Sequence, residues 1–329
     1  MDIGSDPDRP GSYVSTGHLP PPDRVAALVE AAYGKFKSNR EGQRSSVYPS
    51  LAAVREDLFG ICVAGTGGRL YVTGDAEYEF PIMSVSKPFV FALVCEALGA
   101  EAARDRVGVN ATGLPFNSLD ALELSADGRT NPMVNPGAIA ATSLVPGATY
   151  REKWQFIQDG LSRFAGRPLA LNEPVFACAS ESNVRNREIA ARLGALSLDP
   201  VEAVDLYTRQ CSLDVSAKDL AVMGATLADG GVNPVTRQRV ITAQSCKFAL
   251  AVMATAGLYE NSGDWLYDVG LPGKSGISGG IVTVSPGKGA LGTYAPPLDE
   301  AGNSVKGQLV ARYLSGRLGL NLFASKPEA

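Results

Sequence analysis

The sequence predicts an α/β chain of the α+β type, in which an antiparallel sheet flanked by helices carries an inserted helical lobe. Three stretches lead to it. Early in the chain "FGICVAGTGGRLYVTGD" reads as strand, glycine turn and strand, an antiparallel hairpin. Late in the chain beta character returns in "KSGISGGIVTVSPGKGALGTYAPPL". Between them, segments of helical period dominate. Sheet-forming sequence at both ends with helices between implies one catalytic-size domain over residues 23–329. Its sheet lobe comes from about residues 23–99 and 246–329, and its helical lobe from about 100–245. Residues 1–22, "MDIGSDPDRPGSYVSTGHLPPP", are rich in Pro, Gly and Ser and are expected to form a flexible leader.

In chain order, "DRVAALVEAAYGKF" from Asp23 to Phe36 places apolar residues at helical spacing behind an acidic first turn. After the hairpin, "SVSK" at 84–87 runs into "PFVFALVCEALGA". Pro88 lacks an N–H and is tolerated only near a helix beginning, so Ser84 belongs at or just before the first turn. Helical runs follow in "REKWQFIQDGLSRFAG", "NVRNREIAARLGAL", "PVEAVDLYTRQC", "AKDLAVMGATLADGG" (capped by Ser216) and "AQSCKFALAVMATAG". The last helix is "SVKGQLVARYLSGRLG", and no internal repeat is present.

Composition narrows the chemistry. With 329 residues, 45% of them hydrophobic, the chain can bury a large core. A net charge of −4 and a pI near 5.3 supply no basic stripe, which argues against nucleic acid as a partner. Five widely spaced cysteines in apolar surroundings read as reduced core residues of a cytoplasmic protein. The leader has neither the basic nor the apolar part of an export signal, and no run reaches the ~18 apolar residues of a membrane span. The single histidine, His18, lies in that leader. A Ser-His-Asp or Cys-His site therefore has no histidine, a histidine-bearing zinc cluster is hard to build, and no metal or cofactor is expected. Any serine hydrolase built on this chain must use lysine or tyrosine as its base.

SVSK meets that requirement. On a helix, positions i and i+3 share a face with Cβ atoms about 5–6 Å apart, so the Lys87 amine can reach the Ser84 hydroxyl. The helix N-terminus favours developing negative charge there. The same four residues can also be an ordinary cap followed by a solvated lysine. Lys274-Ser275-Gly276 resembles the third sequence box of penicillin-recognising enzymes, whose first box is S-x-x-K, and can equally be a glycine-bent strand. Tyr259 in "TAGLYENSG" ends a helix and is either a phenolate-type base or relay beside Lys87, or half-buried packing. Asn135 and Asn186 stand at the starts of apolar helical runs, where asparagine also caps and turns.

At this point the chain resembles the serine-dependent glutaminases of the β-lactamase-like, penicillin-binding-protein-like fold. The ordered blocks span about residues 28–323 and include "FPIMSVSK", "TGLPFNS", "NPMVNPGAI", "YTRQCS", "MGATLADGGVNPVT", "GLYENSG", "VGLPGKSGISGGI" and "PPLDEAGNSVKG". The resemblance implies that Ser84 attacks the side-chain amide of glutamine, ammonia leaves, and water releases glutamate, with Lys87 and Tyr259 handling protons. It implies that Asn135, Asn186 and Tyr207 grip the amino-acid end, that Ile277 gives its N–H to the oxyanion, and that the protein is a homodimer or homotetramer. To accept a proton Lys87 must be at least partly neutral, through desolvation or a neighbouring cation such as Lys274.

Four positions depart from the family pattern. Val47 replaces its tyrosine, with Tyr48 one position on; Met83 replaces the glutamine before the nucleophile; Pro136 replaces an alanine. Seven residues before Asn186, where the family carries the glutamate that neutralises the substrate ammonium, the chain has Ala179, and Glu181 lies two positions away. A charge-assisted hydrogen bond of that kind is worth about 1.5–3 kcal/mol. The alternative expectation is therefore a glutaminase-like amidohydrolase acting on a different or N-modified amide, and a third is a non-catalytic binding protein.

Overall fold

The computed structural model describes residues 17–125, 127–194 and 196–324. Its layers follow from period-two alternation in short strands, the central ones buried on both faces. In β1 (Gly60–Gly65), Ile61 and Val63 point to one side, and Cys62 and Ala64 to the other. The first side packs under the helices Pro22–Phe36 and Val305–Leu318, through Val25, Val29, Val310 and Leu314. The second packs on the helix Ala217–Ala228. Helices from the two ends of the chain thus cover one face of the sheet.

The other strands are β2 (Leu70–Gly74), β3 (Phe80–Pro81), β4 (Asp214–Val215), β5 (Gly273–Ser275), β6 (Gly280–Ser285) and β7 (Gly289–Tyr294). The main sheet is antiparallel with order β2-β1-β7-β6-β5, and Thr293 of β7 faces Ile61 and Ile281 across its two neighbours. β3 and β4 form a separate two-stranded pair, Phe80 opposite Val215. The fold is thus a mixed one, an antiparallel sheet flanked by many helices, as expected from the two beta segments and the helical series between them.

One hydrophobic cluster runs from Cys62 and Val282 on the sheet through Phe89 and Phe91 to Leu161 and Phe164 among the helices. At its centre is the helix Ser86–Leu98, apolar nearly all round and buried from Ser86 to Cys95. It packs among the helices Asn135–Ser143, Tyr150–Ala165 and Ala243–Ala256. The Ala217–Ala228 helix falls within the 100–245 stretch read as the helical lobe, yet lies on the sheet. Its small residues allow this: a Cβ at Gly224 would come 2.7 Å from Ala290 Cβ and Val282 Cγ2. Ser216 caps it through a capping box, accepting from Asp219 N at 3.1 Å while the Asp219 carboxylate accepts from Ser216 N. Of the expected leader, residues 1–16 lie outside the described residues; Leu19 packs against the terminal-helix cluster, and the first helix starts at Pro22.

The Ala217–Ala228 helix comes very close to the sheet at Gly292 of β7, where an added Cβ would lie 2.0 Å from the Ala217 carbonyl oxygen. Both partners are backbone in regular elements and cannot move aside cheaply. Gly292→Ala should therefore destabilise the protein by about 1–3 kcal/mol, read as a lowered midpoint in urea unfolding. An unchanged midpoint would mean that the helix does not sit this close to the sheet.

Candidate active site

The turn before the SVSK helix is strained where it delivers its serine. Met83 has φ +49°, a left-handed backbone that a side-chain-bearing residue adopts at a cost. Met83–Val85 form a 3-10 turn leading directly into the helix at Ser86, so Ser84 sits just before the first α-turn, where Pro88 placed it. Gly276, following β5, lies against this turn: a Cβ there would be 3.1 Å from both Ile82 O and Val85 Cγ2. The Lys274-Ser275-Gly276 strand and the SVSK turn are therefore pressed together, and Ser84 opens onto a cavity of about 150 Å³.

Lys87 is buried behind that opening. Its amine donates to Asn135 Oδ1 at 2.8 Å and to the Met133 carbonyl at 3.2 Å. Both acceptors are neutral. Burial pushes its pKa down from 10.5 to about 7, and the Cys211 thiol, itself raised by burial, gives little countercharge at neutral pH. A neutral amine has two N–H groups and one lone pair. With both N–H groups held by carbonyl-type oxygens, the lone pair remains for a proton. Lys274 is fully buried as well, donating to the Gly257 and Ser275 carbonyls at 2.7 and 2.8 Å, and its pKa is held well below the usual lysine range by burial and then by repulsion from Lys87.

Asn135 is fixed from both ends. Its Oδ1 also accepts from the Tyr207 hydroxyl at 3.1 Å, and its Nδ2 donates to Asn186 Oδ1 at 2.8 Å. Asn186 in turn donates to Asn183 Oδ1 at 2.6 Å, and Asn183 to Thr208 Oγ1 at 2.7 Å. This chain of donors, all pointing one way, determines that the oxygen of Asn135 faces Lys87.

Tyr259 does not end a helix. It lies beyond the helix Ala243–Ala256, at the start of a 3-10 turn with φ +56°. Its hydroxyl bonds the Ser275 carbonyl at 3.3 Å and contacts Ser84, its ring lies 4.8 Å from that of Phe116, and the Lys274 amine stands 4.0 Å over it. Burial raises its pKa to about 12 against the lowering effect of the Ser84 and Ser275 hydrogen bonds, so near pH 7 it is a phenol that can relay a proton and not a phenolate. Ser84, Asn135, Asn186, Tyr207 and Ile277 all line the cavity. Tyr48 lines it too, with its phenol pushed up to about 12 by burial, while Val47 is 54% exposed at the rim. Ala179 is a buried part of the wall, whereas Glu181 is exposed and outside the lining, its carbonyl taken by Arg187.

A site of this composition, set at the seam of a β-lactamase-like fold, has close relatives. The family model described as Glutaminase matches residues 42–323. The chain belongs to the glutaminase family. It is 66% identical to Glutaminase 2 of Yersinia pestis over 318 residues, 96% of this chain and 94% of that protein, and 45% identical to a glutaminase of Mycobacterium ulcerans over 91% and 95%. Among solved structures, a probable glutaminase, YbaS, superposes with a TM-score of 0.91 at 42% identity, covering 93% of this chain and 100% of that one. A Bacillus glutaminase superposes at 0.82 and 31% identity, covering 91% and 100%.

Several lining residues of this glutaminase fold were not singled out from sequence: Phe116, Asn117, Asn183, Arg185, Thr208 and Cys211. Asn183, Arg185 and Thr208 carry a sequence signal, since each lies within three residues of Asn186 or Tyr207. Among the described residues, no group of three or more His, Cys, Asp or Glu could hold a metal, and no helix is long and apolar enough to cross a membrane.

A desolvated amine in the core lowers stability. Lys87→Met should therefore stabilise the fold by about 1–3 kcal/mol near neutral pH. The folded pKa of about 7 lies below the ordinary 10.5, so the unfolded chain binds the extra proton across that window. The gain should be full below pH 7 and fade as pH approaches 10.5. Thermal unfolding over this range checks it; a destabilised variant, or a gain independent of pH, would contradict the burial argument.

Proposed function

We propose that the protein hydrolyses L-glutamine to L-glutamate and ammonia through an ester on Ser84. The observation that carries the mechanism is the buried Lys87 amine with a pKa of about 7 and both N–H groups engaged, one helical turn from Ser84. Neutral Lys87 takes the Ser84 proton, directly or through the Tyr259 hydroxyl, as the serine oxygen attacks the carboxamide carbon. The N–H groups of Ser84 and Ile277 hold the resulting oxyanion. As the carbon–nitrogen bond breaks, the leaving nitrogen receives the proton from Lys87 through the same relay and departs as ammonia. A water molecule then gives its proton to Lys87 and attacks the ester carbon. The carbon–oxygen bond to Ser84 breaks, Ser84 regains its proton, and glutamate is released. Asn135, Asn186 and Tyr207 hold the amino-acid end.

A strained Met83 before the nucleophile and phenol-form tyrosines around it support preorganisation of this site over a merely inherited pocket. Five unpaired cysteines suit a reducing, cytoplasmic setting. We take the working form to be a homodimer or homotetramer, as the family resemblance implies; a monomer mass in sedimentation equilibrium would refute that part.

Ser84→Ala should abolish ammonia release from glutamine while leaving the circular dichroism spectrum unchanged, and a reactive γ-diazoketone analogue of glutamine should label Ser84. The same assay should show kcat/KM rising with pH to a plateau, with its midpoint near 7, because Lys87 is protonated and inactive below its pKa. Lys87→Arg, which keeps a charge but cannot lose its proton, should be inactive. Normal turnover in either variant would move the chemistry to other residues.

A further inference from the structure

The cavity wall is rich in hydrogen-bond donors and poor in negative charge. Among the described residues lining it there is no aspartate or glutamate, and the one formally charged side chain is Arg185. Arg185 pairs with Glu188 at 3.1 Å, both about half exposed, and Glu188 does not line the cavity. The remaining polar wall is made of amides and hydroxyls, including Asn117, Asn186, Tyr48 and Tyr207. Tyr48 and Tyr207 are both raised by burial and are phenols, which can donate but carry no charge. Where the Glu173–Ser182 helix meets the cavity it presents the methyl group of Ala179, 3% exposed. Its one nearby acid in this turn, Glu181, points to solvent.

A free amino acid would bring both a carboxylate and an ammonium group into this space. Donors and a guanidinium at the rim suit the carboxylate. The wall offers the ammonium only neutral amide and hydroxyl oxygens, so it loses water on entry and gains no anion. We infer that this cavity selects γ-carboxamides of carboxylic acids whose α-position bears no charged nitrogen, such as the deaminated analogue of glutamine or an N-acylated glutamine, over free L-glutamine. The inference rests on the reading of the Ser84 cavity as an amide-hydrolysing site and concerns only which α-substituent it accepts. The deaminated analogue is also the smaller molecule, which matches a cavity of about 150 Å³.

Steady-state ammonia release from L-glutamine, 5-amino-5-oxopentanoate and N-acetyl-L-glutamine by the unmodified protein tests this. The kcat/KM for 5-amino-5-oxopentanoate should exceed that for glutamine by about 10-fold or more, the worth of one missing charge-assisted contact. Ala179→Glu should lower KM for glutamine by about 10- to 100-fold and leave that for the deaminated substrate unimproved. If glutamine matches or beats the deaminated substrate on the unmodified protein, the inference is wrong. Loss of that preference in Glu181→Ala would then identify Glu181 as the missing anion. Should Ala179→Glu fail to fold, the ranking on the unmodified protein still decides. Calorimetric binding to Ser84→Ala separates the two readings. Tighter binding of 5-amino-5-oxopentanoate than of glutamine upholds the selectivity even if the unmodified protein releases ammonia from none of the three. Equal or tighter binding of glutamine overturns the selectivity whether or not hydrolysis occurs.

Discussion

Keeping the Lys87 amine dry is the constraint on which the rest of this structure depends. A lysine in water near pH 7 is protonated and useless as a base; taken into a core of Phe, Val and Leu side chains, it loses most of that preference for the proton. The helix that carries it is apolar on nearly every side and is enclosed by four other helices, Ala100–Val107 among them. The Asn135 amide and the Met133 carbonyl give the amine partners without giving it a countercharge. A carboxylate in place of either would return its pKa toward the ordinary range. The asparagine chain from Asn135 to Asn183 serves the same end, because it holds the Asn135 oxygen toward the amine.

Lys274 extends the argument to the sheet. It is buried on β5, bonded only to carbonyls and close enough to Lys87 for the two to repel. Two buried amines and several strained or sterically crowded backbone positions, Met83, Tyr259 and Gly276 among them, are costly features gathered around one serine. The large shared core that joins sheet and helices supplies the stability that such a site gives up.

Much of this was legible in the sequence, for identifiable reasons. One histidine, His18, placed outside the sheet and helices, removed the common serine-protease arrangement by elimination, and Pro88 fixed where the SVSK helix had to begin. The hairpin and the glycine-rich late strands declared the sheet because their turns need glycine. Side-chain register on a helix was harder to read. Ala179 and Glu181 are two residues apart, and on a helix that is enough to put one in the cavity wall and the other in solvent, which spacing to Asn186 alone did not settle. The placement of the Ala217–Ala228 helix on the sheet was likewise hidden, since small residues at Gly224 and Gly292 matter only once two distant elements meet. Nothing in "TAGLYENSG" announces a left-handed backbone at Tyr259, so the sequence reads as a helix end where the chain makes a 3-10 turn.

The most direct test of the account is the titration of Lys87 itself. With lysine labelled at 13Cε, the Lys87 resonance can be assigned by its absence from the spectrum of Lys87→Met and followed with pH in the otherwise unmodified protein. The account predicts a midpoint near 7, far from the bulk of the surface lysines. A midpoint near the ordinary 10.5 would mean that Lys87 is charged throughout the working range, and that the proton of Ser84 must go elsewhere.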